Sequence, residues 1–111
     1  MEDQVSWVIE LAVKPGELEA FKALMEEMVA GTNVEPTTLG YEWFISDDGG
    51  TVHIYEKYAD SEAMVSHVSG FLAKWAERLA AVDVTRFTVY GSPNTAAKEM
   101  LDGFGAVYLG P

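Results

Sequence analysis

The sequence predicts a single α+β domain in which an antiparallel sheet carries two helices on one face. Three observations predict it. Four segments alternate in the period of two that strands require. Two longer segments repeat apolar residues at helical spacing. The six follow one another as β, α, β, β, α, β, a known supersecondary order. A length of 111 residues is enough for one domain and not two.

The first strand is expected over Val5–Val13, where Val5, Trp7, Ile9, Leu11 and Val13 share a face. Its other face, Ser6, Val8, Glu10 and Ala12, is only half polar, which suggests a sheet covered on both sides. Lys14-Pro15-Gly16 breaks the strand, and Pro15 suits the first turn of a helix. That helix is expected from about Pro15 to Ala30. Acidic Glu17 and Glu19 lie at its positive end, Leu18, Phe21, Leu24, Met25, Met28 and Val29 form its apolar stripe, and Gly31 ends it.

Thr32–Leu39, with Pro36 inside, reads as a loop. Gly40–Ile45 reads as the second strand, with Tyr41, Trp43 and Ile45 on one face and Glu42 and Phe44 on the other. Asp47-Asp48-Gly49-Gly50 predicts a tight turn. Val52–Tyr58 is then the antiparallel partner, with Val52, Ile54, Glu56 and Tyr58 on one face and His53, Tyr55 and Lys57 on the other. Asp60 is the expected cap of a second helix, whose stripe is Met64, His67, Val68, Phe71, Leu72, Trp75 and Leu79, with Gly70 as a point of kinking. Val84–Tyr90 is the fourth strand, and residues 5–90 form the core of a ferredoxin-like fold.

Residues 91–111 are an extension. Ser92-Pro93 is expected to open a short helix through Leu101, ended by Gly103, and Ala106–Leu109 reads as extended. Such an arm crosses to a partner, covers a sheet edge, or packs on its own domain. With both helices on one face, the opposite face is bare. Bearing large apolar side chains, it needs cover, and a second copy supplies it. About 800 Å² buried per subunit would make a standard stable interface, so a homodimer is expected.

Composition excludes several classes. There are no cysteines, which removes disulfides, thiolate zinc sites and thiol catalysis, and fits a reducing compartment. A net charge of −11 repels phosphate backbones and anionic lipid, so neither nucleic acid nor membrane is an expected partner. Met1-Glu2-Asp3-Gln4 lacks the basic region of a signal peptide, and no apolar stretch nears the roughly 20 residues a membrane helix needs. The expected location is cytoplasmic.

His67 is the sharpest candidate for chemistry, because a neutral imidazole on an apolar stripe can take a proton from a phenol. It also reads, as the plainer alternative, as a core histidine bonded to a backbone carbonyl or to Glu56. Glu56 faces inward among apolar residues and must be answered, either by orienting His67 or by pairing with Arg86 on the fourth strand. Arg86 would stabilise a substrate anion if it points into the cavity. Trp7, Tyr41, Trp43, Phe44, Tyr55, Phe71 and Trp75 are candidate walls for an aromatic ligand, and aromatic residues are also ordinary core material. His53 falls on the opposite strand face from Glu56, so a shared metal is not expected. Gly103-Phe104-Gly105 lacks the surroundings of a phosphate loop.

Three stretches resemble the antibiotic biosynthesis monooxygenase family of the dimeric α/β-barrel superfamily. The first is Val8-Ile9-Glu10-Leu11-Ala12-Val13-Lys14-Pro15-Gly16 before a helix of Phe, Leu and Met. The second, Glu35-Pro36-Thr37-Thr38-Leu39-Gly40-Tyr41-Glu42, is similar to a family loop ending Gly-Cys-Leu-x-Tyr-Glu, with Thr38 where Cys is common. The third, Ile54-Tyr55-Glu56-Lys57-Tyr58-Ala59-Asp60-Ser61-Glu62-Ala63, is similar to a strand ending Glu-x-Trp, with Tyr58 in the Trp place, and leads to the family's histidine at His67. The resemblance spans about Val5 to Tyr90. It implies a homodimer and a small-molecule cavity in each subunit. It also implies oxidation of a phenolic, anthrone-like or quinol substrate by O2 with no cofactor, neither metal nor bound flavin. Relatives that bind and degrade haem, and others with no established chemistry, keep two alternatives open: a haem-binding protein, and a non-catalytic dimeric ligand-binding or stress-response module.

Overall fold

A computed structural model of the chain describes residues 4–32 and 38–110. The chain runs β1 (Val5–Val13), α1 (Leu18–Thr32), β2 (Thr38–Ile45), β3 (Thr51–Tyr58), α2 (Ser61–Trp75), a 3-10 stretch (Ala76–Ala81), β4 (Val82–Gly91), α3 (Thr95–Asp102) and β5 (Val107–Leu109). The strands form one sheet in the order β2-β3-β1-β4-β5. The first four pair antiparallel, as the ferredoxin-like core requires, and β5 adds a fifth strand parallel to β4. The loop expected over Thr32–Leu39 falls mostly on residues 33–37. These, like residues 1–3 and 111, lie outside the described residues.

Where boundaries differ from expectation, glycine geometry gives the reason. α1 starts at Leu18 and not at Pro15, because Gly16 takes φ +82, which a helix cannot contain. Lys14–Glu17 is instead a turn closed by Glu17 N–H donating to the Lys14 carbonyl at 3.0 Å. At the other end α1 continues through Gly31 to Thr32. Gly31 does not end the helix; it makes room, since a Cβ there would lie 2.9 Å from the Trp75 ring. α2 passes through Gly70 as one helix, and the winding tightens only at Ala76.

The side-chain caps are local and polar. Asp60 accepts from the Ala63 N–H at 2.8 Å and starts α2. Asn94, rather than Ser92, does the same for α3 through the Ala97 N–H at 2.9 Å. In the β2–β3 hairpin, Asp48 accepts from Ser46 Oγ at 2.7 Å and Gly50 N–H at 2.9 Å.

All three helices cover one face of the sheet. Under them lie two clusters of buried residues. One joins Val5, Trp7, Tyr58, Met64, Phe87 and Leu101 among others, and the second is Leu11, Phe21, Val52, Ile54 and Val82. Ile9 packs against both. Among the described residues the opposite face carries no helix, and it exposes Phe44 and Tyr90. β5 does not mask that face. Its Val107 and Leu109, opposite Thr88 and Tyr90, extend the face with two more exposed apolar side chains. The tail thus covers the edge of β4, one of the arrangements expected for it.

Candidate active site

Between the two buried clusters lies a cavity of about 190 Å³. It is lined by Trp7, Ile9 and Leu11 from β1, Tyr41 and Trp43 from β2, Ile54 and Glu56 from β3, and Phe87 from β4, with α1, α2 and the C-terminal segment closing over it. Val84, also on its wall, is 43% exposed. Among the lining residues, Glu56 and His67 supply the carboxylate and the imidazole; nearly all of the rest is hydrocarbon or aromatic ring.

The sheet register explains why Glu56 is there. It stands opposite Trp7 on β1 and Tyr41 on β2, in the row that faces the helices. His67 comes to meet it from α2, one turn after the fully buried Met64. His67 Nε2 lies 3.5 Å from Glu56 Oε1, and their side chains are only 4% and 10% exposed. Tyr58, two residues along β3 and on the same face, donates its hydroxyl hydrogen to Glu56 Oε1. The carboxylate is therefore held between a phenol and an imidazole. A buried carboxylate is tolerable when it is answered in this way.

Aromatic rings surround this polar corner in a nearly continuous belt. Centroid separations run Phe104–Phe87 6.3 Å, Phe87–Trp7 5.4 Å, Trp7–Tyr58 5.0 Å and Tyr58–His67 5.2 Å. They continue His67–Tyr41 5.9 Å, Tyr41–Trp43 6.0 Å and Trp43–Phe21 5.7 Å. All fall within the range of favourable ring contact. Among the described residues the buried Trp43 indole N–H has no hydrogen-bond partner, a cost of about 1–3 kcal/mol.

Of the residues singled out from the sequence, Trp7, Tyr41, Trp43, Glu56, His67 and Phe71 line the cavity together. Arg86 does not. Unbroken alternation from Val82 and Val84 would turn Arg86 toward the helices, but the β1–β4 register shifts between Glu10 and Leu11. That bulge resets the phase, so Phe87 and Val89 point inward and Arg86 outward. Arg86 Nε lies 3.9 Å from Glu10 Oε2 on the far face, with the side chain 70% exposed, and does not pair with Glu56. Phe44 and Tyr55 also belong to the far face, one step out of phase with Trp43 and Glu56. His53 is there too, 3.4 Å from Glu10 and across the sheet from His67. Trp75 rests against Gly31 and beside Phe71, at 5.7 Å, outside the cavity wall.

Two groups of residues escaped the sequence. Tyr58 joins the polar corner, and its position two residues from Glu56 was the available signal. Leu101 and Phe104 reach the cavity from the C-terminal segment; the Ala97–Leu101 spacing hints at a buried helix face, while nothing local marks Phe104.

Comparison with known proteins bears on the fold and the family. A sequence model described as antibiotic biosynthesis monooxygenase matches residues 5–79. No curated protein sequence matches the chain. Among solved structures, MupZ from Pseudomonas fluorescens has a TM-score of 0.87 at 20% identity, covering 100% of this chain and 87% of its own. Rv0793 from Mycobacterium tuberculosis has 0.67 at 24%, covering 84% and 98%. SnoaB from Streptomyces nogalater, described as a cofactor-independent oxygenase, has 0.65 at 20%, covering 84% and 96%. At such identities these structures establish the fold alone. The family match, which spans more than half of the 111 residues, establishes more: the chain belongs to the antibiotic biosynthesis monooxygenase family.

Proposed function

We propose that the protein is a cofactor-independent monooxygenase of a small phenolic or quinol-type aromatic substrate. The observation that carries the reading is one imidazole–carboxylate pair set in an otherwise apolar, ring-lined cavity. His67 is the general base. Glu56, held by Tyr58, faces the imidazole and stabilises the imidazolium that forms when His67 takes the substrate proton. The apolar walls exclude water while the electron-rich anion reacts with O2. For a phenol the ring C–H para to the hydroxyl becomes C=O and the second oxygen atom leaves as water, so the two electron pairs come from the substrate. Trp7, Tyr41, Trp43 and Phe71 hold the ring. Arg86 has no part in this scheme, because it lies on the other face of the sheet.

SnoaB, described as a cofactor-independent oxygenase, supports the reading through its shared fold and no further. A cavity of about 190 Å³ also favours a ligand of one or two rings over haem, since a cavity of roughly 150 Å³ already accepts benzene. A second reading, a non-catalytic ligand-binding module, is favoured by the completeness of the Tyr58–Glu56–His67 contacts, which a purely structural network would also show. Oxygen uptake by the wild-type protein with phenols, quinols and anthrones separates the two. Uptake matching substrate consumed, above the protein-free rate, supports the oxygenase; binding without uptake supports the module.

The same reading includes a homodimer. Phe44, Tyr90, Val107 and Leu109 are exposed on the helix-free face and suit burial against a second copy. Light scattering at micromolar concentration is expected to give twice the chain mass of 12.2 kDa; a lone chain mass contradicts it.

A further inference from the structure

The C-terminal segment carries a feature of the cavity that the family core does not supply. The family match ends at residue 79, yet Leu101 and Phe104 both line the cavity. Leu101 is buried at 1% exposure in the cluster that also holds Trp7 and Phe87. Phe104 follows it in the turn after α3, lies edge-on to Phe87, and forms the last ring of the aromatic belt. It sits on the β4 side of the cavity, beside Phe87.

Phe104 is fixed in place. Its N–H donates to the Leu101 carbonyl at 2.9 Å, and the Gly105 N–H donates to the Asp102 carbonyl at 3.1 Å. Gly105 takes φ +76 and turns the chain back to β5. The turn is fastened from both sides. Tyr108 of β5 donates its hydroxyl hydrogen to Asp102 Oδ1 at 2.6 Å, and the Asn94 N–H at the start of α3 donates to Ser61 Oγ of α2 at 3.0 Å. A ring held this way behaves as a wall rather than a swinging lid.

We propose that Phe104 is a specificity-determining residue that limits the cavity to ligands of one or two fused aromatic rings. The proposal rests on the reading that the cavity receives an aromatic ring, and it adds the size of that ring system and the residue that sets it. Removing the Phe104 ring opens the wall beside Phe87 and admits a third ring; enlarging it closes the space that the second ring needs.

The test is anaerobic binding of phenol, 1-naphthol and anthrone, read by isothermal titration and by quenching of the cavity tryptophans Trp7 and Trp43. Without O2, binding is measured apart from oxidation. Wild type is expected to bind 1-naphthol more tightly than anthrone. Phe104→Ala is expected to raise the anthrone-to-naphthol affinity ratio about tenfold or more, the scale on which apolar pockets discriminate size. Phe104→Trp, which keeps the segment apolar if the alanine variant does not fold, is expected to weaken 1-naphthol by a similar factor while phenol still binds. An unchanged ratio in folded Phe104→Ala, unchanged naphthol binding in Phe104→Trp, or no binding of any probe overturns the proposal. Separate aerobic measurements keep the two readings apart. A shifted ratio without O2 uptake removes the oxygenase and leaves the size limit; uptake with an unshifted ratio does the reverse.

Discussion

Replacing Tyr58 with Phe removes one hydroxyl from a fully buried ring and leaves the ring packing against Trp7 and His67 in place. What is lost is the hydrogen bond to Glu56 Oε1. Hydrogen bonds to charged groups contribute about 1.5–3 kcal/mol, and the loss is felt fully here because the abandoned carboxylate stays buried. For 111 residues, unfolding entropies of about 2.1 cal/mol/K per residue make each kcal/mol worth roughly 4 °C, so Tm should fall by about 6–13 °C. Urea and thermal unfolding followed by circular dichroism, at one fixed protein concentration, measure it. Glu56→Gln alone and with Tyr58→Phe completes a cycle, and the pair should be non-additive by about 1 kcal/mol or more. A loss below about 0.5 kcal/mol in Tyr58→Phe would show that the phenol does not stabilise the buried carboxylate, and the polar corner would need another account.

Other expectations are independent of that network. Gly31→Ala places a Cβ 2.9 Å from the Trp75 ring and should cost about 1–3 kcal/mol by overpacking, measured by urea unfolding. Leu101→Ala, at a buried position on the cavity wall, should cost about 2–5 kcal/mol; a change near zero would mean that α3 is not part of the core. Burial and the neighbouring Asp102 push the Tyr108 phenol from 10.0 up to about 12. Since the folded value is the higher one, its contribution to stability is whole below pH 10 and lost as pH rises to about 12. Tyr108→Phe should therefore flatten the fall in stability over that window, and superimposable profiles for the two proteins would contradict it. Val107→Asp with Leu109→Asp should shift a dimer toward single chains in light scattering, and an unmoved mass would place the interface elsewhere.

The strands that carry the site were legible because period two is a strict code. Trp7 on β1, Tyr41 and Trp43 on β2, and Glu56 on β3 fall on the helix-facing side as their spacing requires. The code misleads where a bulge resets it, which is why Arg86 points away from the cavity. It also gives no warning of residues that reach a cavity from far along the chain, as Phe104 does. Gly31 shows a related ambiguity: a glycine near a helix end signals a stop or a close approach, and only the Trp75 ring decides which. The hairpin at Asp48-Gly49 and the Asp60 cap were readable because each depends on neighbours within a few residues.

The most direct test of the proposed chemistry is the rate of O2 consumption by His67→Ala, compared with wild type at saturating 1-naphthol. If His67 removes the substrate proton, kcat should fall by about 100-fold or more, the usual contribution of a general base, while anaerobic 1-naphthol binding and the circular dichroism spectrum stay close to wild type. A folded His67→Ala that binds 1-naphthol and consumes O2 at the wild-type rate would contradict the assignment of this imidazole–carboxylate pair as the reacting centre.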